Sequence, residues 1–190
     1  MKLVILDRDG TINADSDEYI KSPGEWQPLP GALEAIARLN HAGWHAVIAS
    51  NQSGLGRGLF DVAALNAMHA KMNKMLAAFG GRVDAVFYCP HLPEDKCSCR
   101  KPLPGLFQQI AERFGVDLKH VPVVGDTVRD LQAGATAGCP PHLVLTGKGA
   151  QWRGQALPAD FPAGTQVHDD LAAFAEWLLA RTRITAPAAA

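Results

Sequence analysis

Two carboxylates stand one residue apart in Asp7-Arg8-Asp9-Gly10, directly after the apolar run Leu3 to Leu6. A carboxylate has a reference pKa of ~4, so Asp7 needs no base to be ionised at neutral pH. Such a group can attack phosphorus and form an aspartyl phosphate. A second carboxylate on the same turn, Asp9, can protonate the leaving oxygen and later activate water. A phosphoryl group is itself anionic, so an anionic nucleophile must be screened by a metal ion or an ammonium group. Two further apolar runs also end on polar groups, one on Ser50-Asn51 and one on Asp126. Converging carboxylates from Asp7, Asp9 and Asp126 need a cation, and oxygen ligands suit Mg²⁺. Asp and Gly are common in plain turns as well; it is the repetition at separate strand ends that favours chemistry.

A second constellation is Cys89-Pro-His91, five residues, then Cys97-Ser-Cys99. Three thiolates and one imidazole fill a tetrahedral zinc site and leave no position for water, so the metal expected there is structural. It would pin a proline-rich loop, about 89–101, beside Arg100 and Lys101. Arg suits bidentate phosphate recognition and Lys a point-charge contact. The formal net charge of −1 argues against a zinc module for nucleic acid.

These residues need elements to hold them. Runs at Leu3–Leu6, Ala46–Ala49, Val83–Tyr88, Val121–Val124 and Leu143–Leu145 read as buried strands. Between them lie helical patterns. One starts at Gly31 and ends near Gly43; the next has Asp61 as N-cap and stops at Gly80-Gly81. Its Met68, Met72 and Met75 face is expected to be core. Helices follow over 104–114 and 128–137, and a last one carries Leu171, Phe174, Ala175 and Leu178, with Asp169 near its start. Alternating strands and helices predict an α/β, Rossmann-like parallel sheet with helices on both faces. In such sheets ligands bind beyond the carboxyl ends of the strands, where Asp7, Ser50 and Asp126 all fall.

Residues 1–190 are expected to form one domain, with a frayed tail over Thr185 to Ala190. Met1 to Leu6 is too short for a signal peptide, and no stretch reaches the ~18 apolar residues of a membrane helix. The expected setting is cytoplasmic, and there Cys139 reads as an inert packed thiol.

The residues Asp7-Arg8-Asp9-Gly10-Thr11, Ser50, Lys101 and Gly125-Asp126 with Asp130 resemble the four motifs of the haloacid dehalogenase (HAD) superfamily, in its order. The resemblance implies Asp7 as nucleophile, Asp9 as general acid/base, Ser50 as the hydroxyl holding phosphoryl oxygens, and Lys101 as the neutralising lysine. It implies Asp126 as a Mg²⁺ ligand. Asp130 resembles a supporting acid, though a helix N-terminal charge is an equal reading. Aspartate at position 9 favours phosphate hydrolysis over dehalogenation.

Asn51-Gln52-Ser53-Gly54, Cys99-Arg100-Lys101-Pro102 and Thr146-Gly147-Lys148-Gly149 narrow the resemblance. They are similar to the branch acting on histidinol phosphate and heptose bisphosphate, whose members have no large cap domain. The heptose enzymes match over nearly the whole chain; the short gap between His91 and Cys97 is closer to the histidinol phosphatases. A monomer is expected, with no nucleic acid, given the near-neutral charge, and no membrane, given the lack of a long apolar stretch; the resemblance implies a small sugar phosphate as partner. It also implies a role in ADP-heptose and lipopolysaccharide core synthesis. Asp15, Ser16, Asp17, Glu18, Ser50, Asn51, Gln52, Ser53, Arg100 and Lys101 should line the substrate site. A receiver-type phosphoacceptor domain is the contrasting reading; the Asp7-Arg8-Asp9 turn and the Arg100-Lys101 pair speak against it.

Overall fold

The computed structural model describes residues 1–184, so the expected fraying of Thr185 to Ala190 lies outside the described residues. Its elements run in order β1 (Lys2–Leu6), α1 (Ala32–His41), β2 (Trp44–Asn51), α2 (Ser53–Gly56), α3 (Val62–Ala78) and β3 (Ala85–Cys89). Then come α4 (Gly105–Phe114), β4 (Val123–Gly125), α5 (Val128–Ala137), β5 (Pro141–Val144), β6 (Gln166–His168) and α6 (Leu171–Ile184). The strands form one sheet in the order β3-β2-β1-β4-β5-β6. All pairings are parallel, with Leu6 opposite Ile48 on one side and Val124 on the other. This is the doubly wound order whose direction of winding reverses between β1 and β4.

Because the strands are covered on both faces, they read as continuous apolar runs. In β1, Leu3, Val4, Ile5 and Leu6 are all fully buried. Val4 and Leu6 face a core shared with α1, α3 and α6, while Leu3 and Ile5 face α4 and α5. Burying each such side chain is worth roughly 1.5–3 kcal/mol, enough to make β1 the anchor of the sheet.

The helix signals act as read. The Asp61 carboxylate accepts from the Ala64 N–H at 2.8 Å and starts α3. Gly80, at φ 72°, ends it. Met68 and Met72 are buried, as expected of a core face. At the last helix, Asp170, directly before Leu171, accepts from the Ala173 N–H at 2.8 Å, while Asp169 pairs with Arg153 at the surface. No helix among the described residues is long and apolar enough to cross a membrane.

Candidate active site and metal centre

Asp7 leaves β1 and Asp126 leaves β4, so the winding reversal sets them side by side. The Asp7 N–H donates to the Val124 carbonyl at 2.8 Å, locking the two strand ends together. Gly10 turns the chain back at φ 83°, and any Cβ there would strike the Asp126 carboxylate. Gly147 closes on the same carboxylate oxygen and on the Gly10 backbone, so only glycine fits at either position.

Lys101 is the hub. Its ammonium donates to Asp7 Oδ1 at 2.7 Å and to the Ala49 carbonyl at 2.7 Å, and lies 2.6 Å from Asp130 Oδ1. Asn51 holds the Lys101 backbone reciprocally: its Nδ2 donates to the Lys101 carbonyl at 3.1 Å, and its Oδ1 accepts the Lys101 N–H at 3.0 Å. Asp130 makes contacts in keeping with both readings left open by its sequence. Its Oδ2 accepts from the Thr127 N–H and hydroxyl at the start of α5, while Oδ1 faces Lys101.

Ligand oxygens of Asp7, Asp126 and Asp130 lie within 4.8 Å of one another. Burial, then Asp130, push the Asp7 carboxyl from 3.8 up to about 7, although Lys101 opposes this. Burial, then Asp130 and Asp7, push Asp126 up to about 8. Burial works against the Lys101 ammonium, but Asp130 and Asp7 outweigh it and hold the group above its ordinary range. Asp126 Oδ2 accepts from the Lys148 N–H at 2.8 Å, whereas Oδ1 is buried with no hydrogen-bond partner. Three crowded carboxylates against one ammonium, with one carboxylate oxygen orphaned, fit a divalent cation with oxygen ligands.

Asp9 stands apart from that group. Its carboxylate accepts from Arg8 at 2.9 and 3.0 Å, from Asn13 Nδ2 at 2.8 Å and from Gln52 Nε2 at 2.9 Å. The sequence placed it among the Mg²⁺ ligands; its side chain is held by the fully buried Arg8, which leaves that expectation to its main-chain carbonyl. Gln52 Nε2 also donates to Ser50 Oγ at 2.9 Å, which ties the acid/base candidate to the hydroxyl expected to hold phosphate.

These groups floor a cavity of about 260 Å³. Of the residues expected at the substrate site, Asp15, Ser16, Asp17 and the run 50–53 line it, together with Arg100 and Lys101. Glu18 does not; it is exposed outside the lining. Tyr19, Thr127, Arg129 and Lys148 line it as well and were not foreseen. Lys148 and Arg129 had a signal available: both follow carboxyl ends of strands in a parallel sheet.

The second cluster assembles as its spacing predicts. Cys97 Sγ lies 3.6 Å from Cys89 Sγ and 3.7 Å from Cys99 Sγ. His91 Nδ1 lies 3.4 Å from Cys89 Sγ and 3.3 Å from Cys99 Sγ. Tetrahedral zinc with Zn–S near 2.3 Å requires edges of roughly 3.5–3.8 Å. The Cys89–Cys99 edge is shorter, at 3.0 Å. Burial, then the contact with Cys99, push the Cys89 thiol up to about 12. Three thiols this close cannot all ionise without a cation among them, so the cluster fits zinc. Arg100 Nη1 donates to the His91 carbonyl at 3.1 Å, tying the cavity wall to the cluster.

The known proteins this chain is similar to agree with that geometry. A HAD-hydrolase-like family model matches residues 98–174. A D-glycero-beta-D-manno-heptose-1,7-bisphosphate 7-phosphatase of Bordetella bronchiseptica is 60% identical over 179 residues, spanning 94% of this chain and 98% of the relative. A Pseudomonas aeruginosa relative of the same name is 52% identical, over 93% of this chain and 97% of its own. The crystal structure of the B. bronchiseptica D,D-heptose 1,7-bisphosphate phosphatase, complexed with magnesium and phosphate, covers 95% of this chain and 99% of its own. It superposes with a TM-score of 0.91. With its nucleophile candidate, lysine hub and acidic cluster at the strand ends, the chain is a phosphoric monoester hydrolase. It belongs to the D-glycero-D-manno-heptose-1,7-bisphosphate 7-phosphatase family of the HAD superfamily.

Proposed function

We propose that this enzyme removes the 7-phosphate of D-glycero-D-manno-heptose 1,7-bisphosphate through an aspartyl phosphate on Asp7, with Mg²⁺ as cofactor. The observation that carries the mechanism is the buried contact of Asp7 with Lys101 beside Asp126 and Asp130. The carboxylates of Asp7 and Asp126 would hold Mg²⁺, with Asp130 behind them. The bound ion supplies positive charge that lets a carboxylate approach a phosphate dianion.

The chain's own groups do the rest. Asp7 attacks phosphorus, the new P–O bond forms on its carboxylate, and the ester oxygen departs with the electron pair of the broken bond. Asp9 gives that oxygen a proton, which requires its carboxyl to turn from Arg8 toward the leaving group. Asp9 then takes a proton from water as the water attacks phosphorus. The acyl phosphate breaks, Asp7 is regenerated and inorganic phosphate leaves. Lys101 offsets charge on Asp7 and on the phosphoryl oxygens, and Ser50 donates to those oxygens. Asp15, Ser16 and Asp17 accept from sugar hydroxyls. Arg100 holds the second phosphate, with zinc on Cys89, His91, Cys97 and Cys99 bracing its loop. The enzyme acts as a single-domain monomer on a cytoplasmic step toward ADP-heptose and lipopolysaccharide core.

Phosphate release from the heptose bisphosphate and from histidinol phosphate, measured side by side, tests the reading. A higher kcat/KM for histidinol phosphate would overturn the substrate assignment. Arg100→Ala should reduce kcat/KM for the bisphosphate by roughly ten- to a hundredfold, the worth of one charge-assisted contact. It should affect p-nitrophenyl phosphate much less, because that ester offers Arg100 no second phosphate.

A further inference from the structure

The motif Thr146-Gly147-Lys148-Gly149 has no part in the chemistry described above, yet three strands of the site meet on it. The Thr146 hydroxyl donates to the Gly10 carbonyl at 2.6 Å, and the Lys148 N–H holds Asp126 Oδ2 at 2.8 Å. The Lys148 side chain reaches across the cavity instead. Its ammonium lies 3.4 Å from Asp15 Oδ2 and 3.6 Å from Asp17 Oδ1. All three side chains line the cavity. Asp15 and Asp17 belong to an irregular segment between β1 and α1, which runs from Leu6 to Ala32 with only isolated bridges at Asp9, Asn13 and Pro28. Lys148, by contrast, sits on a loop tied to Gly10 and Asp126. The segment is anchored at its ends by buried Ile12, Ile20 and Trp26, and the Lys148 contact ties its acidic tip, Asp15 to Asp17, to the floor.

Charge gives this contact a purpose. Six aspartates line the cavity: Asp7, Asp9, Asp15, Asp17, Asp126 and Asp130. Lys101 is committed to Asp7 and Asp130, and buried Arg8 to Asp9. Arg100 and Arg129 also line the cavity, but Arg100 is turned to the His91 carbonyl, and of these cations only Lys148 forms an ion pair with Asp15 and Asp17. A sugar bisphosphate carries two phosphates of about −1.5 to −2 each near neutral pH and must pass these carboxylates to reach Asp7.

We infer that Lys148 is a specificity-determining residue, a charge latch that holds the Asp15–Asp17 flap over the cavity and screens its carboxylates from the incoming phosphorylated substrate. The inference rests on the phosphatase reading of the same site. Half of the Lys148 side chain is exposed, so the ammonium can be shared with an anion without leaving the flap.

The test compares Lys148→Met with wild type, and repeats the comparison in an Asp15→Asn/Asp17→Asn background. For the heptose bisphosphate, Lys148→Met should raise KM by roughly tenfold, with the loss in KM and not in kcat. The KM increase should shrink at high salt, since the repulsion it uncovers is screened within ~8 Å at physiological ionic strength. In the neutral-flap background the same substitution should change KM at most about twofold, because there is little left to screen. An unchanged KM, or an equal rise in both backgrounds, would overturn the latch. Binding of inorganic phosphate in the presence of Mg²⁺ gives a readout that needs no heptose, and Lys148→Met should weaken it severalfold. If wild type ignored the heptose bisphosphate while phosphate binding still responded to Lys148→Met, the substrate reading would fall and the latch would stand. If wild type turned over normally and neither KM nor phosphate binding responded, the latch alone would fall.

Discussion

Replacing Asp7 with asparagine should abolish turnover and, in magnesium-free buffer, make the protein more stable. Both outcomes have one cause, a carboxylate kept in the interior for chemistry. Burial, then Asp130, push its carboxyl from 3.8 up to about 7. The unfolded chain therefore ionises at this position near pH 4 and the folded one only near pH 7. As pH rises through that window the unfolded state sheds a proton the folded state keeps, so folding loses stability; above about pH 7 the loss is complete. A shift of about three units at ~1.4 kcal/mol each sets an upper bound of roughly 4 kcal/mol. Asparagine never ionises and escapes that cost. It is a weaker partner for Lys101, whose ammonium retains Asp130 at 2.6 Å and the Ala49 carbonyl at 2.7 Å. The net gain left is about 1–3 kcal/mol, or a Tm rise of roughly 2–10 °C for a chain of this size. Circular dichroism melts at pH 4, 5.5 and 7.5, with phosphate release measured in parallel, check it. The gap between variant and wild type should widen with pH and narrow when Mg²⁺ is added, since the ion stabilises wild type more. A variant less stable than wild type at pH 7.5, or a gap indifferent to pH, would refute the electrostatic account. Substantial turnover would refute the nucleophile.

Asn51→Ala should lower kcat about five- to a hundredfold, because it removes two hydrogen bonds that seat the Lys101 backbone; kinetics with p-nitrophenyl phosphate, which bypasses sugar recognition, check this. Brief EDTA treatment should stop turnover reversibly by removing Mg²⁺ while about one zinc per chain remains; freshly purified protein without zinc would contradict the closed four-ligand site. His142 and His168 are buried against each other, Nδ1 to Nε2 at 3.0 Å, beneath Phe174 and Trp177. Burial, then His168, lower His142 from 6.5 to about 3. A His kept neutral below its unfolded pKa loses stability as pH falls from about 6.5 toward 3, so His142→Phe should flatten the acid limb of the stability profile in denaturant titrations.

What the sequence made legible was whatever depends on local pattern. The runs at Leu3–Leu6 and Ala46–Ala49 announced strands because both faces of a parallel strand are buried, and Asp61 announced α3 because its carboxylate has an unpaired N–H to satisfy. β6 escaped notice because, of its three residues Gln166–His168, only the last is buried. The turn Ser53–Gly56 escaped because half of it is glycine. In the site, cluster membership was readable and orientation was not. Nothing in Asp7-Arg8-Asp9 says that Arg8 turns inward, becomes fully buried and draws the Asp9 carboxylate with it. Asp130 posed a choice between helix N-terminal charge and supporting acid that the sequence could not make, since a carboxylate has two oxygens and here one meets Thr127 while the other meets Lys101. Lys148 and Arg129 follow carboxyl ends of strands, a signal of position only; the assembled sheet is what brings their side chains to the cavity beside Asp126.

The sheet order has a consequence for the protein's birth. A ribosome delivers β1, β2 and β3 first, and these three are neighbours in the finished sheet. β1 can pair with β2 early, but its other edge waits for β4, which begins at Val123. At ~5–20 residues per second, the stretch from the end of β2 at Asn51 to Val123 takes roughly 4–15 s to synthesise. Throughout that interval the apolar stretch Leu3 to Leu6 presents an open row of backbone donors and acceptors. The partial sheet therefore carries, besides the β3 edge that the finished sheet keeps, a second open edge along β1 that only β4 covers.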